Sequence, residues 1–305
     1  MAAQPVKIIF DTDMGNDVDD ALALAMLHAF ESRGEAKLLA VTVTKDNRYA
    51  APYIDLVNTF YGRPDIPIGV VRNGKTPEDS AMIRVPCERK RADGTLLYPR
   101  RLNDGRTAED AVALLRRTLR AQPDGSVTLV QVGFFTNFAR LLESDRDLIA
   151  RKVRLLVAMA GAFPEGIAEY NVKIDLPASQ KLFQRWPTPI VASGFEIGNA
   201  MLFPAVSIEQ DFRYVENHPI VDAYRNYQKM PYDRPTWDLT AVLYAVRPDR
   251  GYFSLSPAGQ ISADAQGKTH FTPSADGKHR YLTLDATQRV RTLEALVQLA
   301  SQPPK

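Results

Sequence analysis

Cysteine is almost absent from this 305-residue chain, and long apolar runs are missing. The single cysteine, Cys87, excludes an intrachain disulfide and a cysteine-based zinc cluster. No run approaches the roughly 18 to 20 apolar residues that span a bilayer, and the N-terminus lacks the apolar segment of a signal peptide. We therefore expect a soluble protein, cytoplasmic as the sequence stands and without a membrane partner. The start MAAQP resembles what remains when an initiator methionine replaces a removed signal peptide, so an exported parent protein stays open.

An excess of charge of one sign is also missing, because 38 Lys and Arg residues stand against 36 Asp and Glu residues, for a formal net charge of +2. This balance gives no indication of a nucleic-acid-binding surface. The densest basic stretch, residues 84–101, is interrupted by acidic residues and turn formers. Such a stretch is typical of a solvated loop rather than of a polyanion contact.

Short apolar runs alternate with helical patterns over the first two thirds of the chain, beginning at residues 6–10 and 38–43. Strands that alternate with helices predict a mostly parallel central sheet with helices on both faces. No linker or repeat divides the sequence, so we expect a single α/β domain over residues 1–305. A small β-rich addition is predicted at about 252–284, where short β-like pieces are separated by turn residues.

The segment at about 73–106 is longer than an ordinary connection, which is typical of a lid or a binding segment. Overlapping its start, residues 69–76 (GVVRNGKT) satisfy the written pattern of a phosphate-binding P-loop. Its first glycine falls inside an apolar run, and no periodic helix follows Pro77, whereas a phosphate cradle needs a finished strand and a new helix. A P-loop nucleotide-binding enzyme is therefore the less favoured alternative.

Five carboxylates crowd into ten residues directly after the first predicted strand, and they are Asp11, Asp13, Asp17, Asp19 and Asp20. Ligands bind at this end of parallel α/β sheets. Crowded carboxylates repel one another, and a hard divalent cation such as calcium or magnesium relieves that repulsion. Capping of a helix N-terminus explains one or two of these aspartates, but not five. The Asp-x-Asp pattern also occurs in haloacid-dehalogenase-type phosphatases, which have Thr or Val where Gly15 stands.

With this turn the sequence resembles the nucleoside hydrolase family, whose first strand ends in an Asp-x-Asp, Gly, Asp-Asp turn. Four further segments match that family in the expected order: residues 43–44 with Asn47 downstream, 132–137 (VGFFTN), 168–171 (AEYN) and 237–242 (WDLTAV). The resemblance spans residues 7 to about 246. Its specificity lies in the co-occurrence of all five segments.

The resemblance implies a calcium ion, a nucleoside substrate and a homo-oligomer, either a dimer or a tetramer. The implied metal ligands are Asp13, Asp20, the backbone carbonyl of Thr136, and Asp238. The implied ribose-binding residues are Asp19, Asn47, Glu169 and Asn171. Asp13 also corresponds to the catalytic base of the family.

Two positions depart from the family pattern. The acidic turn is two residues longer than the commonest form, so Asp17 is an alternative to the pair Asp19 and Asp20; we favour the pair because Asp20 directly precedes the apolar helix pattern. Trp237 stands where pyrimidine-accepting members commonly carry a histidine, and it resembles the purine-preferring branch, with a stacking role on the base. Of the four histidines, we considered only His218 as an acid for the leaving base.

The predicted activity is calcium-dependent hydrolysis of the N-glycosidic bond of ribonucleosides, with a purine preference, giving ribose and free base as in purine salvage. A transition state of oxocarbenium character requires an activated water and a firmly held sugar. Because no histidine lies near Asp238 in the sequence, a catalytically silent protein that binds ribose or nucleosides remains the main alternative.

Overall fold

A largely parallel sheet forms the centre of the protein. The computed structural model describes residues 4–164 and 166–305, so the first three residues of the MAAQP start lie outside the described residues. The strands are β1 (Val6–Thr12), β2 (Ala36–Lys45), β3 (Ile68–Lys75), β4 (Glu109–Asp110), β5 (Val127–Gln131), β6 (Val153–Met159), β7 (Ile190–Ser193), β8 (Leu202–Phe203), β9 (Arg234–Pro235), β10 (Ser254–Leu255), β11 (Gly259–Ala263), β12 (Thr269–Pro273) and β13 (His279–Thr283).

The helices follow the predicted alternation with the strands. They are α1 (Asp19–Ser32), α2 (Ala50–Phe60), α3 (Ala81–Glu88), α4 (Ala111–Arg120), α5 (Thr136–Lys152), α6 (Tyr170–Ile174), α7 (Leu176–Arg185), α8 (Phe195–Asn199), α9 (Ala205–Gln210), α10 (Pro219–Tyr227), α11 (Trp237–Val246) and α12 (Ala286–Ala300). Among the described residues, no helix combines the length and the apolar character that a membrane crossing requires.

The main sheet has the strand order β12-β11-β13-β7-β6-β5-β1-β2-β3-β4, and β10 pairs with β13. The pairs from β7 to β4 are all parallel, as is the pair β13–β7. The antiparallel pairs β11–β12 and β10–β13 lie within the C-terminal segment. This confirms the predicted fold class, including the β-rich addition, which joins the edge of the same sheet.

Two apolar clusters cover the two faces of the sheet, because side chains along a strand point alternately to opposite faces. On β1, Ile8 and Phe10 pack into one cluster with residues of α1, α2, α11 and α12. Ile9, between them, packs into the other cluster with residues of α4, α5 and α7. Since both faces are buried, β1 is almost continuously apolar until its polar C-terminal end.

The long segment after β3 is more ordered than the sequence indicates. β3 runs to Lys75, and α3 packs against α10, where Arg89 donates two hydrogen bonds to the carboxylate of Asp222 (2.7 and 2.6 Å). The helix was missed because Pro86 and charged residues obscure its apolar period. The continuous strand also rules out the P-loop interpretation, since Gly69 and Lys75 lie within β3 and form no loop.

Candidate active site

A cavity of about 430 Å³ opens at the carboxyl ends of the central strands. Asp13 follows β1, Val132 follows β5, and Met159 ends β6; all three line this cavity, which we call the central pocket. This end of a parallel sheet is where α/β proteins bind ligands. The predicted location of the site therefore contains a pocket large enough for a small ligand.

Three buried aspartates meet in the central pocket although 219 residues separate the first from the last. Asp19 and Asp20 begin α1, Asp238 lies in the first turn of α11, and these two helices pack together. One carboxylate oxygen from each lies within 4.8 Å of the others. The backbone N–H of Asp238 donates to Asp19 Oδ2 (3.0 Å). The packing of α1 on α11 thus creates an acidic cluster, which we define as Asp19, Asp20 and Asp238.

Burial makes this cluster electrostatically unfavourable without a counter-charge. Desolvation, followed by the negative charges of the neighbouring aspartates, raises the pKa values of Asp20 and Asp238 well above their ordinary range. Burial likewise raises the pKa of Asp19 well above normal and that of Asp13 to about 6. The charge of Asp13 is the largest neighbouring contribution at Asp20. A bound cation would offset the repulsion between these carboxylates and lower their pKa values.

The oxygen atoms of the site suit a hard divalent cation. Asp20 Oδ1 accepts a hydrogen bond from the Thr12 hydroxyl, whereas Asp20 Oδ2 is buried without a partner in the described part of the chain. A buried carboxylate oxygen left unpaired is unfavourable, and coordination to a metal satisfies it. Carboxylate oxygens are the ligands that calcium and magnesium prefer. The residues present therefore fit such an ion.

A partly buried chain of hydrogen bonds holds the side chain of Asp13. Asn16 Nδ2 donates to Asp13 Oδ2 (2.8 Å), and Lys45 Nζ donates to Asn16 Oδ1 (2.8 Å) and to the Thr76 carbonyl (2.8 Å). The turn needs glycine at Gly15, where φ is +112° and a Cβ would lie 2.5 Å from a side-chain atom of Ile83. The turn is therefore locked by the segment after β3, and the carboxylate of Asp13 has a fixed orientation.

Glu169 and Asn171, for which the family resemblance implies contacts with the ribose, line the central pocket. Glu169 caps α6 and accepts hydrogen bonds from the N–H groups of Gly161 (3.0 Å), Asn171 (2.8 Å) and Val172 (3.2 Å). Burial nevertheless raises its pKa to about 7. Asn171 Nδ2 donates to the Val132 carbonyl (2.7 Å). These contacts fix both side chains relative to the ends of β5 and β6.

Thr136 and Asn47, the two other predicted residues, are not among those that line the central pocket. Thr136 begins α5, and its hydroxyl donates to Asp175 Oδ2 (2.5 Å). Asn47 Nδ2 donates to two backbone carbonyls of the segment after β3 (3.2 and 3.0 Å). From the VGFFTN segment, Val132 reaches the pocket instead, because it stands directly after β5, whereas Thr136 has already turned into a helix.

Asp17 forms an ion pair with Arg234 and is not part of the acidic cluster. Its carboxylate accepts two hydrogen bonds from Arg234, one from Nε (2.9 Å) and one from Nη2. Arg234 also lies over Trp237, with Cζ 5.2 Å from the ring centroid. The Trp237 indole N–H donates to the Phe195 carbonyl (2.9 Å). Arg234 lines the pocket and was missed because no motif surrounds it in the sequence.

No histidine lines the central pocket within the described residues. His28 stacks on Tyr61 and bonds to Asn58, and burial lowers its pKa to about 3. Burial also lowers the pKa of His218 to about 3, and its Nε2 pairs with the Tyr214 hydroxyl (2.7 Å). His218 is therefore neutral at physiological pH, which removes it as a proton donor to the leaving base.

Comparison with known proteins gives a consistent assignment. The sequence matches the family model described as inosine-uridine preferring nucleoside hydrolase over residues 8–298. The inosine-uridine preferring nucleoside hydrolase of Crithidia fasciculata is 28% identical over 261 residues, which are 80% of each chain. The pyrimidine-specific ribonucleoside hydrolase RihA of Klebsiella pneumoniae is 30% identical over 265 residues, again 80% of each chain.

A solved structure supports the same fold. The inosine-uridine preferring nucleoside hydrolase from Bacillus anthracis has a TM-score of 0.74 at 18% identity, and the alignment covers 97% of this chain and 99% of that one. The family match extends over nearly the whole chain and confirms the resemblance that the five segments carry. The chain therefore belongs to the inosine-uridine preferring nucleoside hydrolase family.

Proposed function

We propose that this protein hydrolyses the N-glycosidic bond of ribonucleosides, with a calcium ion bound by Asp13, Asp20 and Asp238 and a preference for purines. The observation that carries the proposal is the meeting of Asp13, Glu169 and Asn171 with the acidic cluster in one pocket. These groups come from three separate stretches of the chain. They match the oxygen-rich environment that a metal ion and a sugar diol share.

The proposed ligands of the ion are the carboxylates of Asp13, Asp20 and Asp238. A backbone carbonyl completes the set, and we assign it to Val132 rather than to Thr136 because Val132 lines the central pocket. A bound divalent ion lowers the pKa of a coordinated water and orients it.

Side chains of the central pocket accept the proton of the water and hold the sugar. Asp13 accepts the proton of the attacking water, and its hydrogen bond from Asn16 orients the accepting carboxylate. Asp19, Glu169 and Asn171 hold the ribose hydroxyls. Holding the sugar within reach of the water lowers the reaction barrier by several kcal/mol, as it does when two reacting groups belong to one molecule. The role of Asn47 on the ribose stays a prediction.

The purine preference rests on the aromatic lining of the pocket. Phe195, Tyr170 and Trp237 line it, and their combined apolar surface suits the larger, two-ring base. The family itself does not decide this point, since the relatives above differ in the bases that their names specify.

The proposal is tested by measuring ribose release from inosine, guanosine, adenosine, uridine and cytidine. We expect release from purine nucleosides to exceed that from pyrimidine nucleosides, to stop after EDTA treatment and to recover with calcium. The matched control is Asp276→Asn, which changes an exposed aspartate far from the acidic cluster in sequence. Thermal stabilisation by nucleosides without any ribose release would instead establish the silent binding protein.

A further inference from the structure

The pair Asp17–Arg234 is a charged group in the central pocket that the proposed mechanism does not use. Asp17 lies in the lengthened acidic turn, and Arg234 begins the short strand β9 just before α11. Both line the pocket. The two carboxylate oxygens of Asp17 hold Nε and Nη2, and Nη2 also donates to the Tyr227 hydroxyl (3.1 Å).

One nitrogen of the Arg234 guanidinium takes no part in these contacts. Arg234 Nη1 donates to no group in the described part of the chain, although it carries two N–H donors. The guanidinium plane is kept in place by Asp17 on one edge and by the rings of Trp237 and Tyr227, each 5.2 Å from Cζ. Its donors are therefore fixed before any ligand enters.

The charge of Arg234 is permanent. Burial opposes it, but the hydrogen bonds and negative charge of Asp17 outweigh burial and raise the pKa of the guanidinium above its ordinary value. The group therefore cannot transfer a proton, and it acts on a ligand only as a positive hydrogen-bond donor. A base that departs from ribose carries the electron pair of the broken bond, so it is the part of the substrate that needs such a donor.

We propose that Arg234, positioned by Asp17, assists the departure of the base by donating hydrogen bonds from Nη1 to acceptor atoms of that base. The C1′–N bond breaks and its electron pair stays on the base, while hydroxide from the attacking water bonds to C1′ and the water's proton goes to Asp13. The base takes its own proton from solvent, and Arg234 keeps its charge throughout. This inference rests on the proposed function.

The same geometry gives Trp237 a second role. The Arg234 guanidinium lies over its ring, and its indole N–H is occupied by the Phe195 carbonyl. Trp237 therefore holds the guanidinium in place in addition to lining the pocket beside the base.

The test compares two substrates that share ribose and differ in the leaving group. The base of inosine is a poor leaving group unless hydrogen-bond donors stabilise its developing negative charge. In contrast, 4-nitrophenyl β-D-ribofuranoside releases a nitrophenolate that is stable without such donors. We expect Arg234→Gln to lower kcat for inosine by about 100-fold, the scale of one lost transition-state donor, and to change kcat for the nitrophenyl riboside by less than about threefold. Asp17→Asn should show the same selectivity with a smaller loss on inosine.

Arg247→Gln is the matched control. Arg247 forms the same two-bonded pair, with Glu35 (2.7 and 2.7 Å), and lies over the ring of Phe30, but it does not line the central pocket. We expect this variant to hydrolyse both substrates like the unaltered protein. Equal losses on both substrates in Arg234→Gln, or no loss on inosine, would overturn the role of Arg234. Absence of ribose release from both substrates by the unaltered protein would overturn the proposed function itself.

Discussion

Replacing Asp238 by asparagine should change stability in opposite directions with and without calcium. The substitution removes one negative charge from the acidic cluster and keeps the size of the side chain and the backbone bond from Asp238 to Asp19. In the metal-free protein the cluster has no counter-charge, and burial raises the pKa of all three carboxyls. Loss of one charge therefore relieves repulsion.

The distance between the carboxylates of the acidic cluster determines how much repulsion the substitution removes. Two charges 4.8 Å apart repel by about 3 kcal/mol at an effective dielectric constant of about 20. Partial protonation relieves some of this repulsion, so we expect metal-free Asp238→Asn to be more stable than the metal-free wild type by about 1 to 3 kcal/mol. For a chain of this size that is an increase in Tm of about 2 to 5 °C.

Excess calcium should reverse this order of stability, so that the wild type becomes more stable than Asp238→Asn. An ion at about 1,000 times its Kd stabilises the folded wild type by about 4.1 kcal/mol, which exceeds the difference in the metal-free proteins. Asp238→Asn has lost a proposed ligand and should gain much less. Thermal melts give the Tm of the wild type and of Asp238→Asn, each in EDTA and in excess calcium. Asp276→Asn is the control for a simple loss of charge. A variant that melts below the wild type in EDTA, or that gains as much from calcium as the wild type, would refute the reasoning.

Three further substitutions test separate parts of the account. Asn16→Ala removes the hydrogen bond that aims Asp13, so kcat should fall about tenfold while KM and calcium affinity stay nearly constant in steady-state assays and calcium titrations. Asp19→Asn should raise KM for the nucleoside more than it weakens calcium binding; the reverse order in the same assays would make Asp19 a metal ligand. His218 has a folded pKa of about 3 against 6.5 for free histidine, so its contribution to stability is complete above pH 6.5 and is lost as the pH falls towards 3. In calcium-saturated protein, His218→Asn should therefore flatten the loss of unfolding free energy between pH 6.5 and 4, by about 1.4 kcal/mol per pH unit in denaturant titrations.

The parts of the site that the sequence predicts are those that depend on strand ends. Asp13, Asp19 and Asp20 follow an apolar run that had to be a buried strand, and parallel strands place their carboxyl ends together. Asp238 was predicted only through family resemblance, because its position beside Asp20 depends on the packing of α1 against α11. Periodicity alone contains no information about that contact.

The features of the pocket that the sequence does not predict depend on local geometry. Val132 reaches the pocket, and Thr136 does not, because the chain turns into α5 between them. Arg234 has no sequence signal, since its role arises from a pairing with Asp17 across 217 residues. α3 was hidden because only one face of a short, Pro-containing helix is apolar.

The central claim is that Asp13, Asp20 and Asp238 hold a divalent ion beneath the sugar. It is tested most directly by stripping the protein with EDTA, titrating calcium back by equilibrium dialysis, and measuring ribose release from inosine at each step. The account predicts one calcium ion bound per chain and ribose release that rises in proportion to occupancy of that site. Full ribose release by the stripped protein, or no calcium bound at the concentrations that restore activity, would contradict it.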